Sequence, residues 1–479
     1  MKKTLNMKTN RICTLLLLAS VPILLSSCFA AKDYERPKVV NEAKFRTDHI
    51  EDSIINTATQ DSLSMANVSW TDIFTDPVLN DYINRGLENN IDIRVAIQQI
   101  LAAQAYFKQG KAGFFPTLQG NATYTHQELS GNSQFGSLFS KLDQYEINTA
   151  LSWEADIWGK IRSNKRAYQA SYLQSVAAHK AVKTQLIANI ASTYYQLLSI
   201  DEQIRITQET VSNRENSLET TRALKEAGNV TGAGVKQTEA QLYTAQAILV
   251  DLQNQARLLE NTMSILLGEE PHEIVRTDLD SQEINTDLTI GIPTTLLRNR
   301  PDVIAAEYDL INSFELTNVA RSSFYPSITL SATGGVQSLD LDNLFSSGSL
   351  FATIIGGLVQ PIFNGRQIRT QYEVAKAQQE QAKLNFRQAI LTASREVSDA
   401  LYTYQASTKR ITIKEKEYDA YQTATDYSEE LLNNGLVNYL EVLTARENAL
   451  SSQLDLIDAE YGQLNAMVNL YQALGGGWK

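Results

Sequence analysis

Apolar residues recur at helical spacing along two long stretches of the chain: Val182, Leu186, Ile190, Tyr194 and Leu197 in the first, and Ile390, Val397, Tyr404, Ile411 and Tyr418 in the second. Steps of three, four and seven keep these side chains on one stripe, the pattern of a helix that needs a neighbour along its whole length. Neither glycine nor proline occurs between Gly159 and Gly228 or between Gly365 and Gly435. Each gap therefore admits one uninterrupted helix of roughly 70 residues, about 100 Å at the α-helical rise. Alanines such as Ala375, Ala377, Ala382 and Ala389 let neighbouring helices approach closely, and the striped residues read as packing.

Elsewhere the period changes from 3.6 to two. Leu118 to Thr125 alternates small or apolar side chains with polar ones. Tyr145, Ile147, Thr149, Leu151 and Trp153 alternate with Glu146, Asn148, Ala150 and Ser152, which predicts a strand with two unlike faces. Serine- and glycine-rich residues 130–140 form the loop between these strands. A second pair, Ser327 to Gln337 and Leu350 to Gln360, brackets Asp340 to Gly348. The chain thus offers four strands of about ten residues, the length a tilted strand needs to cross hydrocarbon.

The whole pattern is written twice. Setting Phe114, Phe115, Pro116 on Phe324, Tyr325, Pro326 also sets Leu87 on Leu297, Asp92 on Asp302 and Ala96 on Ala306, a shift of about 210 residues. Farther along the shift is about 207, matching Gly228 with Gly435, Val230 with Val437, Val235 with Val442, and Leu267, Gly268 with Leu474, Gly475. A loop that differs in length between the copies accounts for the change. Each copy reads as a medium helix, an aromatic-aromatic-proline stop, two strands, a very long helix, a glycine turn and a medium helix. The medium helices are expected near residues 77–112, 232–267, 294–322 and 436–474. The expected organisation is a signal peptide (1–27), an N-terminal segment (28–68), a first repeat (69–270), a linker (271–292) and a second repeat (293–479). Within the repeats, hairpins are expected near 117–155 and 327–362, and long helices near 160–228 and 366–434. Two medium helices end to end equal one long one, which suggests a cylinder wall.

Four strands cannot close on themselves, and an open edge in lipid leaves N–H and C=O groups without partners. Three copies give twelve strands, within the known range for outer-membrane barrels, whereas two copies give a narrow eight-stranded barrel filled by its own side chains. A soluble sandwich of the same strands would leave the two long helices without a core. The fold class expected is an α+β membrane protein with an internal duplication: a trimeric 12-stranded β-barrel, four strands per chain, continued by a long α-helical barrel.

At the N-terminus, Lys2, Lys3, Lys8 and Arg11 precede an apolar run from Ile12 to Leu25, too short to span a bilayer and read as a secretory signal. It ends in Leu25, Ser26, Ser27, Cys28, which resembles the bacterial lipobox and marks Cys28 as the lipidated first residue of the mature chain. Several acyl chains at about 0.8 kcal/mol per buried CH₂ hold such a chain on its membrane. The other cysteine, Cys13, leaves with the signal, so no thiol remains for a disulfide, a metal site or a nucleophile. Losing four basic residues moves the net charge from -12 to about -16, which argues against nucleic acid as a partner. His49, His126, His179 and His272 are scattered without metal-ligand spacing. No nucleophile elbow, zinc-protease motif or nucleotide-binding loop is present, and no enzymatic activity, metal or cofactor is expected beyond the lipid on Cys28.

With these features in order, the chain resembles TolC-like outer-membrane efflux proteins, in particular their NodT lipoprotein branch. The resemblance is carried by Cys28 with Tyr34, Glu35, Arg36, Pro37; by Trp70, Phe74, Asp76, Pro77; and by Leu296, Leu297, Arg300, Pro301, Asp302. Asp156, Ile157, Trp158, Gly159 and Pro361, Ile362, Phe363, Gly365 at the strand-to-helix junctions also match. The resemblance implies a homotrimer in the outer membrane that reaches into the periplasm and serves as the exit duct of a tripartite efflux pump. Its implied partners are a periplasmic membrane-fusion adaptor and an inner-membrane pump of the resistance-nodulation-division type. The turns at Gly228, Val230 and Gly435, Val437 are the expected adaptor-docking points. Glu441 falls on an acidic gate position of the family, whereas Val437 and Thr444 stand where aspartate is common. Glu441, Tyr439 and Asn438 are the expected constriction, with Asp426, Glu429 and Glu430 as an acidic approach or a solvated helix face. Tyr124, Tyr145, Trp153, Trp158 and Phe363 are either interfacial anchors or packing. Drugs, metals or other small toxic molecules are the expected cargo. Protein secretion through an ATP-driven transporter and a non-conducting envelope spacer are the alternatives.

Overall fold

The computed structural model describes residues 31–39, 46–50, 56–57, 65–134, 136, 141–282, 289–290 and 296–478. The signal segment and Cys28 lie outside the described residues, as do parts of the 130–140 loop and of the 271–292 linker. The chain divides into two compact units, Met1–Val39 with Ile100–Gln174 and Ala306–Asn385, and Val40–Gln99 with Ser175–Ala305 and Phe386–Lys479.

The first copy runs α1 (Pro77–Asn89), α2 (Ile91–Ala112), β1 (Thr117–Glu128), β2 (Lys141–Glu154), α3 (Lys160–Glu226) and α4 (Gly232–Leu267). The second runs α5 (Pro301–Ser322), β3 (Ser327–Ser338), β4 (Leu350–Val359), α6 (Gln367–Asn433) and α7 (Tyr439–Leu474). Four pairs of equivalent elements have equal lengths: 22 residues in α2 and α5, 12 in β1 and β3, 67 in α3 and α6, and 36 in α4 and α7, whereas β2 has 14 and β4 has 10. The offset is 210 residues up to the ends of β1 and β3 and 207 from the starts of α3 and α6. The three extra residues of the first copy therefore lie between Glu128 and Lys160, where the hairpin loop is.

In the first unit the four long strands form one antiparallel sheet in the order β1-β2-β3-β4. Thr117 faces Ser152, Glu154 faces Thr329, and Ser327 faces Val359. β1 and β4 are the edges, each with one neighbour. Gly335 is required where β3 crosses β2, because a Cβ there would lie 2.1 Å from the Ile147 carbonyl oxygen. The N-terminal segment is tied to α5: the Lys32 amide donates to Asn318 Oδ1 at 3.2 Å and Asn318 Nδ2 donates to the Lys32 carbonyl at 2.9 Å. Arg36 pairs with Glu307 at 2.5 Å, and Tyr34 sits edge-on to Phe314.

The second unit buries Phe74, Leu79, Ile83, Tyr194, Tyr195, Leu197, Leu198, Met263 and Leu267. The medium helices expected over 77–112 and 294–322 are each broken, at Asn90 and at Arg300. Pro301 lacks an N–H and disfavours a helical residue before it. Asn90 achieves the same break by capping, its Oδ1 accepting from Asp92 and Ile93 at 2.9 and 3.2 Å. The two breaks also receive the ends of the returning helices. Asn90 Nδ2 donates to the Leu266 carbonyl, and the equivalent Arg300 Nη1 donates to the Ala473 carbonyl. Gly268 and Gly475, both at positive φ, close α4 and α7 so tightly that a Cβ would fall 2.5 Å from Asn89 O and 2.6 Å from Asn299 O.

Asp76 joins these parts. Its Oδ1 caps α1 at Val78 and Leu79, and its Oδ2 accepts from Tyr194 (2.7 Å), Thr277 (2.5 Å) and Gln282 (3.0 Å). Burial pushes the carboxyl up, but the bonds from Thr277, Tyr194, Gln282 and the Val78 amide outweigh it and hold the group below its ordinary value. A carboxylate depressed in the folded state adds stability above its unfolded pKa, about 4, and loses it as pH falls through the folded value. Asp76→Ala should cost about 3 kcal/mol at pH 7, from the lost cap and the orphaned hydroxyls. The deficit should shrink below about pH 4, as read by urea unfolding at both pH values.

Candidate functional site

The sheet has two unlike faces, fixed by its register. One carries Leu118, Ala122 and Tyr124 of β1, Tyr145, Ile147, Leu151 and Trp153 of β2, Ile328, Leu330, Ala332 and Val336 of β3, and Leu350, Ile354 and Leu358 of β4. The other carries Gln119, Asn121, Thr123, Glu146, Asn148, Ser152, Ser331, Thr333, Gln337 and Thr353. Side-chain contacts agree with the assignment: the Tyr124 and Tyr145 rings stack at 5.0 Å, and Asn121 Nδ2 donates to Asn148 Oδ1 at 3.0 Å. β4 departs from it, with Phe351, Ile355 and Val359 on the polar side.

Tyr145 and Trp153 stand eight residues apart on the apolar face of β2. At about 3.3 Å per residue and a tilt near 40°, they are about 20 Å apart along the membrane normal, close to the height of an apolar barrel band. Trp153 donates its indole N–H to the Phe114 carbonyl and Phe363 is almost fully exposed, both fit for an interface. Trp158 instead donates to the Pro326 carbonyl at 2.7 Å and stacks on Tyr325, so it is packing.

The helical turns lie in the second unit. α3 ends on Gly228 (φ +83°) and α6 on Gly435 (φ +73°). In each, the next residue's amide reaches five residues back, Asn229 to Leu224 and Leu436 to Leu431, both at 2.9 Å. This is the Schellman closure that glycine permits. The following helices start on N-caps, Thr231 bonding the Gly234 amide and Asn438 bonding the Glu441 amide, both at 3.2 Å. α7 thus begins at Tyr439 rather than at 436, and the Asn438 side chain is engaged by the backbone.

Beside these turns α3, α4, α6 and α7 enclose a cleft of about 1310 Å³. Val230, Glu429, Gly435, Val437, Asn438 and Tyr439 line it, whereas Gly228, Asp426, Glu430 and Glu441 do not. Glu441, Asp426 and Glu430 are exposed, and among the described residues none of the three carboxylates forms an ion pair. Glu429 is neutralised by Arg446 at 2.7 Å, and Arg446 also donates to Ser217 Oγ at 2.7 Å. Arg214, whose side chain is 6% exposed, donates to the Gln241 carbonyl and pairs with Glu447, both at 2.6 Å. These arginines brace all four helices. Sequence reasoning missed them, because a charged residue in a long helix looks solvated until its neighbours are known.

Among the described residues, no helix is long and apolar enough to cross a membrane and no cluster of His, Cys, Asp or Glu could hold a metal ion. The outer membrane efflux protein family model matches residues 82–269 and 292–476. This chain belongs to that family. The solvent efflux pump outer membrane protein SrpC of Pseudomonas putida is 29% identical over 95% of this chain and 97% of its own length. The cation efflux system protein CusC of Escherichia coli is 27% identical over 96% of this chain and 98% of its own. The open-state structure of the Neisseria gonorrhoeae MtrE outer membrane channel is 26% identical, covers 94% of this chain and 98% of that one, and superposes with a TM-score of 0.81.

An outer-membrane efflux channel of this family completes its barrel from several chains, and three copies of the four-stranded sheet make the twelve strands. The apolar face then meets lipid and the polar face lines the lumen. Arg214→Ala should lower stability by about 3 kcal/mol, since it leaves the Gln241 carbonyl and Glu447 without their shared donor. Amide exchange should rise in α3 and α7 around residues 214 and 447, while the sheet keeps its protection.

Proposed function

We propose that three copies of this chain form the passive exit duct of a tripartite pump, carrying small toxic molecules or ions out through the outer membrane. The observation that carries this reading is the sheet with one apolar and one polar face and an unpaired outer edge on each of β1 and β4. Such a sheet encloses water only when shared between chains. Transport energy comes from an inner-membrane transporter of the resistance-nodulation-division type, joined through a periplasmic adaptor that docks at the Gly228, Val230 and Gly435, Val437 turns. SrpC and CusC are named for solvents and cations, which favours small cargo over secreted protein.

Cys28 anchors the chain through covalent lipid. Ala31 lies against Gly159, its methyl 3.0 Å from where a Cβ would stand. At the turns, three copies of the exposed Glu441 form the acidic gate, with Tyr439 beside it and Asp426 and Glu430 along the approach. Glu429 is tied to Arg446 and contributes less to the field.

Crosslinking in intact cells followed by mass spectrometry should recover an adaptor and a proton-driven pump. Recovery of an ATP-driven transporter instead would replace the cargo reading with protein secretion. Glu441→Gln should reduce the cation preference of reconstituted channels, since three like charges around an axis favour cations; an unaltered reversal potential in a salt gradient would remove Glu441 from the gate.

A further inference from the structure

We infer that the seam between subunits repeats the strand register by which the two halves of one chain pair. The inference rests on the trimeric duct reading and adds the residue-by-residue geometry of its interface. Within the chain, β2 of the first copy pairs with β3 of the second, and this pairing joins two equivalent units. In the closed barrel, β4 of one subunit meets β1 of the next, and this again joins the last strand of one unit to the first of another. The two hairpins share one register, Thr117 facing Ser152 in the first copy as Ser327 faces Val359 in the second, so the contact visible within the chain is a template for the one between chains.

The transfer is explicit. Ser152 faces Ser331, Leu151 faces Ala332, Ala150 faces Thr333 and Thr149 faces Gly334. With Thr117 set on Ser327, a shift of 210, the hairpin registers set Ser152 on Val359, a shift of 207; moving β2 onto β4 and β3 back onto β1 by these shifts sets Val359 opposite Asn121, Leu358 opposite Ala122, Gly357 opposite Thr123 and Gly356 opposite Tyr124 of the neighbouring subunit. Two independent features of the single chain agree with this register. First, the faces match: Leu358 and Ala122 are both on the apolar side, Asn121 and Thr123 on the polar one, whereas a slip of one residue would turn Gln119, Asn121 and Thr123 toward lipid. Second, the helices next to the edge strands carry unpartnered apolar groups where the template puts the seam. Asn312 of α5 bonds the Ala167 carbonyl of α3, and the same shifts bring Val374 of α6 to Ala102 of the neighbour's α2. Val374 is 48% exposed in the single chain, and Leu101 beside Ala102 is 51% exposed.

The test is disulfide trapping in outer membranes of cells carrying the full-length protein. Ala122→Cys combined with Leu358→Cys places the two sulfurs on directly opposed residues, within disulfide reach. Gly120→Cys or Tyr124→Cys combined with Leu358→Cys displaces the pair by two residues, to about 7 Å or more, beyond that reach. Ala102→Cys with Val374→Cys probes the helical part of the same seam, and decides the matter should a strand variant fail to insert. The expected result is covalent dimers and trimers on non-reducing gels for 122/358 and for 102/374, with both shifted pairs at the level of the single-cysteine controls. Stronger trapping by a shifted pair overturns the register. So does absence of trapping in every pair while the parent protein still runs as a heat-labile trimer. A parent protein without any trimer would overturn the duct reading itself.

Discussion

An unpaired strand edge cannot lie in hydrocarbon, and this chain has two of them. β1 and β4 each present a row of N–H and C=O groups to whatever lies alongside, and in lipid each unmet group costs several kcal/mol. The four-stranded sheet is therefore unstable in the place its apolar face suits it for, unless other chains complete it. Trimerisation is in this sense a condition of membrane insertion. The lumen follows from it: closing the sheet puts Gln119, Asn121, Glu146 and Asn148 around a shared axis with water between them.

The helical part meets a related constraint by different means. Helix ends leave backbone groups unsatisfied, and here they are satisfied in pairs of equivalent devices. Gly228 and Gly435 close α3 and α6 in the same left-handed turn, and Thr231 and Asn438 open the helices that follow. Asn90 interrupts the run of α1 into α2, Arg300 stands just before α5, and the two hold the carbonyls of Leu266 and Ala473. The duplicated sequence keeps these backbone functions while changing the side chains that perform them. In the first copy Asp76 is a buried carboxylate that gathers Tyr194, Thr277 and Gln282 onto the start of α1.

The large features were legible because they rest on local rules. Absence of glycine and proline marks helices of 67 residues as plainly as Phe-Phe-Pro and Phe-Tyr-Pro mark the strands that follow. Alternation gave β2 its faces, because a period of two survives any tertiary context. The breaks at Asn90 and Arg300 were harder to see. Pro301 is a plain stop, but an asparagine becomes one only through bonds to amides two and three residues on. The braces made by Arg214 and Arg446 were not visible at all, since their partners Glu447, Gln241, Glu429 and Ser217 are distant in sequence or on other helices. Periodicity reports which face of a helix is buried. It does not report which charged residues on the boundary of that face find each other.

The central claim is that one face of the sheet borders water and the other borders lipid. Cysteine-scanning of β2 tests it most directly, with single cysteines from position 145 to position 153 labelled in intact outer membranes by a charged, membrane-impermeant thiol reagent. The account predicts alternation: positions 146, 148, 150 and 152 label readily, while 147, 149 and 151 are protected and respond only to a lipid-soluble reagent. Uniform labelling along the strand, or alternation of the opposite phase, would contradict it.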